Sequence, residues 1–159
     1  MDTRYLEDLP PGLHLVCPGI TLSEAEIIDF ALRYDPQPFH LDTVAASQSP
    51  YGGLIASGFQ TLALCFRLFI QSGILAESSM GSPGIDELRW LAPVRPGDTL
   101  HTEIEVLENR RSASRPDRGI ARLRYRAINQ HGDAVLSFIV AHLLRRRPES
   151  PATDPGIPS

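Results

Sequence analysis

The apolar positions change their period part-way along the chain. Over Glu24–Tyr34 they recur at helical spacing, with Ile27, Ile28, Ala31 and Leu32 on one face. Ser23 precedes this segment and Glu26 follows three residues later, a capping box at a helix start. Pro36 and Pro38 end the helix near Tyr34, because the residue before a proline avoids the helical region. Asp35–Leu41 therefore reads as a constrained, extended loop, and Asp42–Ser47 as a short helix capped by Asp42. Gly52, Gly53 and Gly58 bracket a second loop, which leads into the helix Gly58–Gln71. Apolar side chains from Phe59 to Ile70 cover almost its whole circumference. A helix apolar all round is expected to be buried on all sides.

In the second half of the chain the period falls to two. Ile85–Leu91 reads as a strand stopped by Pro93 and Pro96. Thr99–Glu108 alternates, with Leu100, Ile104 and Val106 opposed to His101, Glu103 and Glu105. Ala121–Ala127 alternates more cleanly: Ala121, Leu123, Tyr125 and Ala127 face in, while Arg122, Arg124 and Arg126 face out. Asn109–Gly119 is a polar connection between these two strands. Asn129–Asp133 marks a hairpin turn, and Ala134–Leu144 is a long apolar strand ended by Arg145, Arg146 and Arg147. A short strand around Leu13–Cys17 completes the set. The expected architecture is α+β, an antiparallel sheet of about five strands curled around one long buried helix. Residues 1–147 form one domain, and the proline-rich segment 148–159 is expected to be a mobile tail.

Composition narrows the chemistry. Apolar residues make up 42% and charged residues 21%, a globular balance. All fifteen basic residues are arginine, which excludes lysine Schiff-base chemistry and any phosphate-binding P-loop. A net charge of −4 disfavours a nucleic-acid partner. No apolar run is long enough to span a bilayer, and Met1–Pro10 lacks the apolar core of a secretory signal. Cys17 and Cys65 match no metal spacing and read as reduced thiols of a cytoplasmic protein, Cys65 as inert core. His101 and His142 are lone histidines on strands, so no metal is expected. Trp90 reads as core or interface.

What remains is Asp35-Pro-Gln-Pro-Phe-His40: an acid and an imidazole five residues apart, in a loop that prolines restrain. Such rigidity is what a preorganised acid/base pair requires. The same residues also read as a turn aspartate and a surface histidine.

Tyr34-Asp-Pro-Gln-Pro-Phe-His-Leu-Asp42, followed by Tyr51-Gly-Gly-Leu-Ile-Ala-Ser-Gly58, closely resembles the MaoC-like dehydratase family, which includes the (R)-specific enoyl-CoA hydratases. Glu87-Leu-Arg-Trp-Leu-Ala-Pro-Val-Arg-Pro-Gly-Asp98 is also similar to these proteins, and the likeness runs over about residues 20–145. It implies a hot-dog fold, usually dimeric, and reversible hydration of a 2-enoyl thioester without metal or organic cofactor. Asp35 and His40 stand where the family's catalytic pair holds the water. Gly58 stands where the family's backbone oxyanion donor stands, at the N-terminus of the central helix. Ser57 and Gly53 are the neighbouring candidates for substrate binding. The implied substrate is an acyl thioester of coenzyme A or of acyl carrier protein. Three positions depart from the family's pattern: Gln37 replaces the usual Asn, Tyr34 the Gly common before the Asp, and Phe66 a serine of some members.

Two other functions fit the fold. A hot-dog thioesterase typically places its acidic residue on the central helix, and Gly58–Gln71 contains no carboxylate. A non-catalytic acyl-CoA-binding subunit would keep the fold without turnover. Arg122, Arg124 and Arg126 read as a solvated strand face, with coenzyme A phosphates as the other use. Open sheet edges lead us to expect a homodimer joined edge to edge.

Overall fold

A computed structural model of the chain describes residues 3–148. Apart from Pro148, the segment expected to form a tail lies outside the described residues. The elements run β1 (His14–Val16), β2 (Ile20–Thr21), α1 (Glu24–Tyr34), α2 (Pro38–Leu41), α3 (Thr43–Ser47), α4 (Gly58–Gln71), β3 (Ile85–Trp90), β4 (Thr99–Arg111), β5 (Arg118–Ile128) and β6 (Ala134–Arg145). A turn of 3₁₀ helix, Leu6–Asp8, precedes them.

All strand pairings are antiparallel. The sheet order is β1-β4-β5-β6-β3, with β2 also paired to β4, so the sheet has six strands rather than five and does not close. Two residues of β2 are too few to show a period, which is why alternation alone misses that strand. The β4–β5 connection is also shorter than the polar stretch suggests, because β4 runs on to Arg111 and β5 starts at Arg118.

Alternation sorts the faces of β4 and β5 as expected. Leu100, Ile104, Val106, Ala121, Leu123, Tyr125 and Ala127 are buried. On the other face Arg122, Arg124 and Arg126 reach Glu108, Glu105 and Glu103 at 2.9, 3.0 and 3.6 Å. These arginines are engaged across the strand pair, and each half-exposed bridge contributes little stability.

Helix α4 packs against β4 and β5. Thr102 fastens it, donating to the Cys65 carbonyl at 2.9 Å. The rings of Phe69, Tyr125 and Phe138 fill the space between helix and sheet, Tyr125 and Phe138 stacked with centroids 4.8 Å apart. This is the hot-dog arrangement. The expected burial of α4 on every side is corrected within one chain: Thr61, Cys65, Leu68 and Phe69 are buried, but Phe59 is 60% and Ile70 47% exposed. An open sheet curls around one side of a helix only. The uncovered side of α4 and strands β3 and β6 line an apolar groove of about 290 Å³.

Candidate active site

Ser23 caps α1 through a reciprocal box with Glu26, as the sequence predicts, and the helix stops at Asp35, whose N–H still donates to the Ala31 carbonyl at 3.0 Å. The next residues are not an extended loop. Pro38 opens the single helical turn α2, because its fixed φ suits a first helical position and its missing N–H would have been an orphan there. That turn carries His40 back toward the end of α1. His40 Nε2 lies 3.3 Å from Asp35 Oδ2. The aspartate and the histidine therefore meet as the motif implies, though through a helical turn rather than extended backbone.

Each member of the pair is held from behind. His40 is buried, and its Nδ1 lies 2.7 Å from the Ile55 carbonyl. A carbonyl only accepts, so Nδ1 carries the proton and Nε2 is the nitrogen turned to Asp35. Ile55 is fixed in turn: its N–H donates to the Phe39 carbonyl at 3.2 Å, and the next amide, of Ala56, donates to Val94 at 2.8 Å. Asp35 accepts from Gln37 Nε2 on Oδ1 at 2.8 Å and from the Ser57 hydroxyl on Oδ2 at 2.7 Å. Burial alone would raise its pKa. Those two hydrogen bonds and the adjacent imidazole outweigh burial and hold the carboxyl below its ordinary range.

The pair opens on a cleft of about 480 Å³ walled by Phe39, Tyr51, Phe59, Trp90 and the segment Leu91–Val94. Gly58 lines the same cleft. It is the first residue of α4, so its N–H is one of the helix's orphan donors, and no backbone hydrogen bond among the described residues uses it. Trp90 explains why the position is glycine. A Cβ on Gly58 would run into the indole ring. Trp90, half-exposed, is thus a wall of the cleft rather than core.

Two other candidates do not line the cleft. Gly53 lies beside the Arg95 guanidinium and is not among the residues lining the cleft. Ser57 is completely buried and also absent from the lining, because its hydroxyl turns inward to Asp35. The sequence missed the role of the Ile55 carbonyl, which a backbone atom could not have signalled. Cys65 is buried core, its thiol pushed up to about 12 by burial. Among the described residues no group of three or more His, Cys, Asp or Glu side chains is placed to hold a metal ion, and no helix is long and apolar enough to cross a membrane.

Comparison with known proteins identifies the family and the fold. A family model described as MaoC like domain matches residues 10–124. The uncharacterized protein YdeM of Bacillus subtilis is 30% identical over 141 residues, covering 89% of this chain and 99% of that protein. A 3-hydroxybutyryl-CoA dehydratase of Methylorubrum extorquens is 32% identical over 108 residues, 65% of this chain and 64% of that protein. Among solved structures, a MaoC-like dehydratase from Rhodospirillum rubrum superposes with a TM-score of 0.85 at 39% identity, covering 92% of this chain and 99% of that one.

Proposed function

The chain belongs to the MaoC-like domain family, and from that membership and the cleft's geometry we propose that it catalyses reversible hydration of a 2-enoyl thioester to a 3-hydroxyacyl thioester. The observation that carries this reading is the Asp35–His40 pair, 3.3 Å apart at the wall of a cleft that also holds Gly58. A water in the cleft, hydrogen-bonded to both Asp35 Oδ2 and His40 Nε2, adds its oxygen to C3 and gives up one proton to the pair. The C2–C3 double bond's electrons move toward the thioester carbonyl, whose oxygen gains charge opposite the Gly58 N–H. The pair then delivers that proton to C2, so the net change is addition of one water and the pair returns to its starting state. Reversal of the same steps is dehydration. Asp35 and His40 share the water and act on it as a unit.

The substrate in this reading is an acyl thioester of coenzyme A or of acyl carrier protein, taken up without a metal or organic cofactor. The working form is a homodimer. Strand β3 ends the sheet with an open edge, and Phe59, Ile85 and Leu91 remain exposed on or beside it, a surface that a second copy would cover. A monomeric mass in light scattering at micromolar concentration would contradict this.

Incubation with enoyl-CoA thioesters of increasing chain length, followed by loss of the conjugated absorbance, tests the activity. Hydration of at least one of them is the expected result. Release of free thiol instead would identify a thioesterase, and binding without turnover a non-catalytic acyl-binding subunit.

A further inference from the structure

Ser57 has no solvent exposure, yet its side chain is fully used. Its Oγ accepts from the Phe59 N–H at 3.2 Å, capping α4. Its proton is given to Asp35 Oδ2 at 2.7 Å, the carboxylate oxygen that also faces His40. No water competes for a hydroxyl buried in this way. The peptide bond that follows Ser57 supplies the Gly58 N–H.

We infer that Ser57 is a positioning residue that locks the Asp35 carboxylate in its ionised form and sets its distance from the oxyanion donor. The inference rests on the hydration reading for its consequence in catalysis but not for its geometry. A short hydroxyl-to-carboxylate hydrogen bond stabilises the ionised form selectively. Without it, Oδ2 keeps only His40 and solvent as partners, and partial burial, which opposes ionisation, gains weight. The carboxylate also becomes free to turn about its last torsion, because Gln37 holds only Oδ1. One side chain thus ties together the two halves of the site, which lie on α1 and α4.

The test uses Ser57→Ala and Ser57→Gly. Glycine is tolerated at a helix cap almost as well as serine, so the second variant removes the hydroxyl while largely sparing α4. The titration of Asp35 is followed by carbon NMR of its carboxyl group, assigned through Asp35→Asn, with no substrate present. In both variants the Asp35 midpoint is expected to move up by about one pH unit. The acid limb of kcat for enoyl-CoA hydration should move by the same amount, and kcat at its plateau should fall roughly tenfold with KM little changed. An Asp35 midpoint that stays in place in both folded variants would overturn the inference. So would a kcat loss that follows melting temperature with an unmoved pH profile. If the midpoint moves but the wild-type protein hydrates no thioester, Ser57 keeps its role and only the hydration reading fails.

Discussion

Two histidines are buried in this molecule, and their surroundings separate the imidazole we propose to be reactive from one that only packs. His40 and His142 are both almost inaccessible, at 4% and 2% exposure, and each makes one short hydrogen bond. The partner of His142 is the Tyr125 hydroxyl, 2.6 Å from Nε2, in a shell of Phe66 and Phe69 with Phe66 stacked flat on the ring. Burial pushes this imidazole down to about 4 and the Tyr125 phenol well above its ordinary value, so the two stay neutral. His40 instead turns its free nitrogen to a carboxylate and lines an open cleft. Neither burial nor a hydrogen bond tells the two histidines apart; a place on the cleft lining and a carboxylate neighbour do.

The strongest way to break this contrast is to remove one member at each place. Asp35→Asn and His40→Gln should each reduce hydration by about 10²–10⁴-fold, the usual worth of a positioned acid or base. The double variant should be little worse than the poorer single one. Melting temperatures should stay close to wild type. His142→Phe should do the opposite, keeping turnover near wild type at neutral pH while costing about 1–3 kcal/mol of stability, because the Tyr125 hydroxyl loses its partner.

Acid sharpens the same contrast. The folded pKa of His142 lies below its ordinary value of 6.5. Its neutral form therefore favours the fold above pH 6.5, and that contribution is lost as pH falls from there toward about 4. The full span corresponds to ~3 kcal/mol. Denaturant titrations at pH 7.5 and 4.5 should show a smaller acid loss in His142→Phe than in wild type; equal losses would remove His142 as the cause.

A milder loss of rate than at Asp35 or His40 is expected at Gly58. Gly58→Ala keeps the amide but displaces the Trp90 ring, and misplacement on this scale costs roughly 10²-fold in rate at most. Combining it with Trp90→Ala should restore part of the loss. Additive losses would mean that Gly58 and Trp90 do not share one contact.

Much of the site was legible because its residues lie close together in the chain. The Asp35–His40 spacing, the capping box of α1 and the glycine opening α4 are local patterns, and each appears where expected. What escaped was set by partners distant in sequence. The Ser57 hydroxyl finds Asp35 across 22 residues, and His40 is oriented by a carbonyl 15 residues on. By pattern alone Pro38 is a helix breaker, whereas after Gln37 it starts a helical turn. The apolar circumference of α4 suggested all-round cover, but hydropathy does not say whether the covering surface belongs to the same chain.

The position of Trp90 carries one more consequence. It is the only tryptophan in the sequence, and it stands against Gly58 with Phe59 edge-on at 5.9 Å. Indole emission shifts to shorter wavelength when water around the ring is replaced by apolar groups. A thioester seated at Gly58 would make that replacement. The protein thus carries an intrinsic optical reporter on the wall of its own cleft, so ligand occupancy can be read from fluorescence without a label and in variants that no longer turn over.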